Sequence, residues 1–111
     1  MIHLTQQTKL FIAVKPTDFR RQIDGLVSHC KQLLQENPRG GALFVFINRS
    51  HTMIRFLHFD GTGYWLATKR LSQGHYQGWP SGQHALTTMD AAQLMKLIKS
   101  NTCQAKTNHL H

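Results

Sequence analysis

Acidic residues come first in a search for catalytic chemistry, because phosphoryl transfer by two metal ions needs several carboxylates close together. The chain has five: Asp18, Asp24, Glu36, Asp60 and Asp90. Asp18 lies at the expected start of a helix, Asp60 begins an Asp-Gly turn and Asp90 opens a second expected helix. Each of these three has a sufficient structural role, so we expect no catalytic residues and no enzyme.

The eight histidines and two cysteines are the remaining candidates for metal binding or nucleophilic catalysis. They do not show the paired spacing of a structural zinc site. His109 and His111 could chelate a metal weakly, but solvated side chains are the simpler interpretation. No glycine-rich phosphate loop and no nucleophile elbow is present. We therefore expect neither a metal nor a cofactor.

Basic residues give the clearest indication of a ligand, because a net charge of +8 favours polyanions such as nucleic acid. Arg20 and Arg21 are expected in the first turn of a helix, where two guanidinium groups and free amides could meet a phosphate. The alternative is a structural ion pair with Asp24 or Asp60. Further cations alternate with aromatic residues between 49 and 79, as in surfaces that bind single strands, although such aromatics can equally be core. The predicted DNA contacts are Arg20, Arg21, Arg49, Arg55, Lys69 and Arg70.

Apolar periodicity predicts the elements that position these residues. A strand is expected at 9–14, and an apolar stripe at helical spacing from Phe19 to Leu34 predicts a helix capped by Thr17 or Asp18. Four strand-like runs follow, at 42–47, 52–59, 64–71 and 75–79. A last helix is expected after Thr87 or Thr88.

The order β-α-β-β-β-β-α with short turns predicts an α+β fold. We expect an antiparallel meander of about four to five strands with two helices packed on one face. A length of 111 residues fits one domain at 1–100, followed by a polar tail at 101–111 that we expect to be flexible. The longest apolar run, at 42–47, is too short to span a membrane, and two cysteines make no disulfide framework. A cytoplasmic protein without a membrane partner is expected.

Several motifs together carry a family resemblance: PTDFRRQIDGL at 16–26, LFVFINR at 43–49, FDGTGYWLATKRL at 59–71 and WP at 79–80. Over about residues 10–98 the chain resembles the TnpB-type accessory protein of the insertion-sequence 66 class of bacterial transposons, the product of the second reading frame. The motif positions are Pro16, Thr17, Asp18, Arg20, Asp24, Gly25, Leu26, Asp60, Gly61, Gly63, Lys69, Arg70, Leu71, Trp79 and Pro80.

The resemblance implies a non-enzymatic accessory protein for DNA transposition. It would act beside a separately encoded transposase, and the basic composition leads us to expect that it binds DNA and is nucleoid-associated when active. The alternative is a protein-interaction subunit of the transposase complex that never contacts DNA. A metal-dependent nuclease is the third and weakest interpretation. The family has no agreed catalytic residues, so the resemblance assigns none here.

Overall fold

The computed structural model describes residues 8–101. The first seven residues and those from 102 on, including Cys103, His109 and His111 of the predicted tail, lie outside the described residues. The elements in chain order are β1 Leu10–Ala13, α1 Ile23–Gln32, a short 3-10 helix Pro38–Gly40, β2 Leu43–Ile47, β3 Met53–Phe59, β4 Tyr64–Arg70, β5 Leu86–Thr88 and α2 Ala91–Lys99.

The five strands form one sheet in the order β4-β3-β2-β1-β5. β2, β3 and β4 are antiparallel neighbours, which confirms the expected antiparallel sheet within residues 42–79 and the α+β class. β1 pairs with β2 in parallel, because α1 lies between them in the chain and carries it back to the starting end of the sheet. The sheet is therefore mixed, although largely antiparallel.

The core lies on both faces of β2, in which every residue is buried. Phe44 and Phe46 pack with Leu26 and Cys30 of α1. Leu43 and Val45, whose side chains point the other way, pack with Leu94 of α2. The two helices thus cover opposite faces, and the prediction that both pack on one face is wrong. A strand apolar at every position needs cover on both sides.

The predicted strand at 75–79 is also wrong. Gly74 and Gly78 adopt left-handed backbone angles, with φ of 76° and 74°, and the segment between them buries Tyr76 without strand pairing. The fifth strand is Leu86–Thr88, which pairs antiparallel with β1. Trp79 donates its indole N–H to the carbonyl oxygen of Ala13 at 3.0 Å, so this irregular segment is still tied to the sheet.

Both helices begin later than predicted. Gln22 precedes α1 and makes no side-chain cap, so neither Thr17 nor Asp18 caps this helix. Asp90 caps α2 by accepting the backbone N–H of Gln93, whose side chain accepts the N–H of Asp90 in return. Thr87 and Thr88 lie in β5 instead. Among residues 8–101, no helix is long and apolar enough to cross a membrane.

Candidate nucleic-acid interface

The six predicted DNA contacts come together at one end of the sheet. β1, β2 and β4 finish at this end and β3 begins there, as the registers Ile47↔Ile54 and Met53↔Arg70 show. The backbone N–H of Thr17 donates to the carbonyl oxygen of Ile47 at 2.8 Å, which brings the segment after β1 to the same place. We call this the basic end: residues 15–21, the turn 48–52, and residues 69–71, together with Arg55.

Three of the five acidic residues lie at the opposite end of the sheet. Asp60 belongs to the hairpin between β3 and β4, Asp90 begins α2, and Glu36 follows the last turn of α1. The basic end holds the six predicted cations and Lys15 with one carboxylate, Asp18, and the fifth acid, Asp24, follows in the first turn of α1. The positive charge is therefore unevenly distributed, which concentrates attraction for a polyanion at one surface.

Arg20 is paired with Asp18 and lies ahead of the helix. Its Nε and Nη2 donate to the two carboxylate oxygens at 2.7–3.1 Å, and its backbone N–H donates to Oδ1 at 2.9 Å. These bonds to Arg20 lower the pKa of Asp18 to about 2, so its carboxylate is ionised at neutral pH. The prediction of pairing with Asp24 or Asp60 is wrong, because the turn before α1 brings Asp18 nearer.

Arg55 holds the turn before α1 against the sheet. Its Nη1 donates to the carbonyl oxygens of Phe19 at 2.7 Å and Arg21 at 2.8 Å, and its Nε donates to Thr68 Oγ1 at 3.0 Å. The guanidinium also lies over the Phe19 ring, 4.7 Å from its centroid. This side chain is committed to the fold and positions the Arg20–Arg21 segment.

Lys69 and Arg70 are exposed at the end of the edge strand β4. Within residues 8–101, Arg20–Asp18 is the only ion pair, so neither Lys69 nor Arg70 is bound to a carboxylate of the described chain. Their charges remain available to a ligand, one on each face of the strand.

A pocket of about 530 Å³ opens at the basic end. It is lined by two short stretches, Pro16–Arg20 and Asn48–Ser50. Asn48 fixes the second stretch, because its Oδ1 accepts the backbone N–H groups of Thr52 at 2.9 Å and Met53 at 3.0 Å. The turn thereby displays Arg49, which is exposed. Four motif positions, Pro16, Thr17, Asp18 and Arg20, thus contribute to one pocket.

Other motif residues support the fold far from this pocket. Asp60 accepts hydrogen bonds from the backbone N–H groups of Thr62 and Gly63 and from the indole N–H of Trp65, which together hold its pKa well below its usual range. Gly61 takes a φ of 101° in the same turn, as the Asp-Gly pattern predicts. A Cβ on Gly25 would lie 3.2 Å from the Cβ of Arg21, so glycine lets α1 start close to the Arg20–Arg21 segment.

Sequence reasoning missed the part of Thr17 and of Asn48–Ser50 in this pocket. The motif included Thr17, but only as a possible helix cap, and within Asn48–Ser50 only Arg49 was predicted to contact a ligand. Its signal was the cluster of hydrogen-bonding side chains around Arg49. Among residues 8–101, no three histidine, cysteine or acidic side chains converge as metal ligands.

These features define a small basic α+β protein with a pocket lined in part by its motif residues. Residues 8–108 match the family model described as IS66 Orf2 like protein. The chain belongs to this family, which confirms the resemblance and points to an accessory protein associated with transposition.

Two relatives come from Sinorhizobium fredii (strain NBRC 101917 / NGR234). The "Uncharacterized protein y4hO" is 35% identical over 98 residues, which are 88% of this chain and 84% of the relative. The "Uncharacterized protein y4jC" is 34% identical over 76 residues, 68% of this chain and 65% of the relative. No solved structure shows a significant match.

Proposed function

We propose that this protein binds DNA through the basic end of its sheet and assists a separately encoded transposase, without a catalytic step of its own. The observation that carries the proposal is the gathering of cations from three separate stretches of the chain at one surface. Arg20, Arg21, Arg49, Lys69 and Arg70 are all exposed there, and only Arg20 has an acidic partner within residues 8–101. In a bacterial cytoplasm this surface would bring the protein to the nucleoid.

Phosphate contacts have a measurable signature, because each neutralised phosphate releases a condensed counterion. The logarithm of the affinity should fall with the logarithm of salt by about 0.9 for each phosphate contacted in duplex DNA. With Arg55 engaged in the fold and Arg20 partly neutralised by Asp18, about four contacts are expected, and a fourfold rise in salt should weaken binding roughly a hundredfold. Contacts of this kind distinguish poorly between base sequences.

The test is fluorescence anisotropy of a labelled duplex titrated with protein between about 50 and 200 mM salt. Transposon-end and random duplexes should bind similarly. Neutralising Lys69 and Arg70 together, as glutamines, should flatten the salt dependence by about one unit per lost contact. Lys9→Gln with Arg39→Gln is the matched control, because it removes the same charge at the opposite end of the sheet.

The outcomes separate the hypotheses. If both double variants flatten the salt dependence equally, net charge and not the basic end determines binding. Absence of binding at low salt and high micromolar protein would contradict the DNA interface. Thermal melts of each variant establish that it is folded.

One observation favours the second candidate, a protein-interaction subunit that contacts the transposase and not DNA. Leu33, at the end of α1, is 62% exposed and lines a cleft of about 290 Å³ with Leu34 and His29. Leu33→Ser should abolish co-purification with the transposase under this candidate. Under the leading proposal, the same variant binds DNA as the unmodified protein does.

A further inference from the structure

The pocket between Pro16–Arg20 and Asn48–Ser50 has the size and lining of a site for a small anion. Its volume of about 530 Å³ accommodates a phosphate together with the sugar that carries it. Its two walls come from stretches that are distant in sequence, joined where the N–H of Thr17 meets the carbonyl oxygen of Ile47. The site is therefore built by the tertiary fold and not by one loop.

Arg20 and Arg49 both line this pocket, and each has guanidinium N–H groups without a partner in the described part of the chain. The Arg49 side chain makes no hydrogen bond or ion pair within residues 8–101. Arg20 gives its Nε and Nη2 to Asp18, which leaves Nη1 without a partner in the same part of the chain. Two planar guanidinium groups from separate walls of the pocket suit the several oxygens of a phosphate.

Thr17 provides an independent indication. The residue is only 4% exposed, whereas Pro16, Asp18 and Arg20 around it are exposed, so Thr17 forms the buried floor of the pocket. Its Oγ1 makes no hydrogen bond within residues 8–101. Burying a hydroxyl without a partner is unfavourable. Oγ1 itself has almost no solvent contact, so a ligand oxygen in the pocket can accept its hydrogen bond only after χ1 rotates to another staggered position.

We infer that this pocket seats one phosphate group of a DNA strand, contacted by Arg49, by the free Nη1 of Arg20 and by the hydroxyl of Thr17. The inference deepens the proposed DNA binding and rests on it for the source of the phosphate. Asp18 also lines the pocket and opposes an anion. A lone phosphate is therefore bound weakly, and the remaining contacts of the basic end provide the affinity for DNA.

Thr17→Val is the decisive variant, because it replaces the hydroxyl by a methyl group of similar shape and changes no charge. Removing an unpartnered buried hydroxyl should leave the urea midpoint unchanged or raise it. Affinity for duplex DNA should fall about tenfold, the lower range for a hydrogen bond to a charged group, while the salt dependence stays the same. Thr88→Val, an exposed threonine of β5, is the matched control and should bind as the unmodified protein does.

Arg49→Gln completes the comparison. It should weaken binding and flatten the salt dependence by about one unit, since it removes one phosphate contact. If Thr17→Val binds DNA as tightly as Thr88→Val, the pocket does not receive a phosphate and the inference is overturned. The same conclusion follows if Thr17→Val is destabilised, because the hydroxyl then serves the fold.

The phosphate could be an internal phosphodiester or the phosphomonoester at a 5′ end. Duplexes with a 5′-phosphate and with a 5′-hydroxyl separate the two: a Thr17→Val defect on both supports the phosphodiester, and a defect on the phosphorylated duplex alone supports the end.

Inorganic phosphate, followed by NMR of the backbone amides, separates failure of this inference from failure of the proposed function. Signals of residues 16–20 and 48–50 should shift at millimolar phosphate in the unmodified protein and not in Thr17→Val. Such shifts without DNA binding would retain the pocket and reject the DNA interface. If the protein binds DNA but Thr17→Val has no effect and phosphate causes no such shifts, the DNA interface is retained and the phosphate pocket is rejected.

Discussion

Arg55 offers the sharpest test of how the basic end is held together, because replacing it with lysine keeps the positive charge and removes the planar guanidinium group that bonds several acceptors at once. One guanidinium joins two backbone carbonyls of the turn before α1, at Phe19 and Arg21, to a hydroxyl of β4. A lysine ammonium is a compact charge on a flexible stem and cannot span these acceptors together. Arg55→Lys should therefore release the turn from the sheet.

The expected loss follows from the contacts. A hydrogen bond from a charged donor contributes about 1.5–3 kcal/mol when buried, and we take about 1 kcal/mol for each of the two carbonyl bonds because the site is half-exposed. The stacking on Phe19, at 4.7 Å, adds about 0.5–1 kcal/mol. Lysine should recover about 1 kcal/mol of this sum through a single bond. The free energy of unfolding should thus fall by about 2 kcal/mol in Arg55→Lys.

Urea unfolding followed by tryptophan fluorescence measures this loss. With a slope of about 1–2 kcal/mol per molar urea, the midpoint should fall by about 1–2 M. Arg39→Lys is the matched control, because the Arg39 guanidinium also lies over an aromatic ring, 5.0 Å from the Phe59 centroid, but makes no side-chain hydrogen bond within residues 8–101. It should change the free energy of unfolding by less than about 1 kcal/mol.

A midpoint for Arg55→Lys equal to that of Arg39→Lys would refute the reasoning. Arg55 would then be free for DNA, as the sequence alone predicts. If the reasoning holds, Arg55→Lys should weaken DNA binding and flatten its salt dependence although no charge is lost, because the displaced Arg20–Arg21 segment loses phosphate contacts.

The other predictions use the same assays. Asp18→Asn keeps an acceptor for the turn but frees the neighbouring guanidinium, so DNA binding should tighten and its salt dependence steepen by about 0.9. Asp90→Asn, the same change at the opposite end of the sheet, should alter neither the affinity for DNA nor its salt dependence. If Asp18→Asn and Asp90→Asn had equal effects, Asp18 would have no local influence on the basic end. Cys30 is fully buried and burial raises its pKa to about 12, so in a Cys103→Ser background the thiol should react with an aromatic disulfide only after unfolding. Trp79→Phe removes the indole bond to β1 and should cost about 1 kcal/mol of unfolding free energy by urea titration, whereas no change would mean that water replaces the bond.

The hairpin of β3 and β4 was predictable because its determinants are local. β-branched and aromatic residues fill both runs, and Asp60-Gly61 places the reversal between them. The capping of that turn by Asp60 fixes the register from Phe59↔Tyr64 to Met53↔Arg70. The sequence signals for this hairpin therefore all lie within residues 53–70.

The start of α1 was not predictable, because tertiary contacts decide it. Thr17-Asp18 has the composition of a helix cap, but the N–H of Thr17 is taken by the carbonyl of Ile47, thirty residues away in the chain. Arg55 then takes the carbonyls of Phe19 and Arg21. Helical periodicity through Phe19 therefore overestimated the helix at its beginning.

The placement of the helices could have been derived more fully. The run ALFVFI indicates a strand apolar on both faces, which already requires cover on each side. Assigning both helices to one face contradicted that observation. The short strand Leu86–Thr88 was missed for a different reason. Only three of its residues pair with β1, and three residues are too few to show the alternation of apolar and polar side chains by which a strand is recognised.

The basic end arises from topology as much as from composition. Parallel strands β1 and β2 both end where the chain must turn, so the stretches carrying Arg20, Arg21 and Arg49 leave the sheet side by side. Antiparallel pairing then returns β4 to the same end, with Lys69 opposite Ile54 and Arg70 opposite Met53. A basic pair in the hairpin turn after Phe59 would instead lie at the opposite end, among the acids. Cations separated by fifty residues thus form one surface because the strand directions bring them there, and the pocket between 16–20 and 48–50 lies where the two parallel strands deliver their loops.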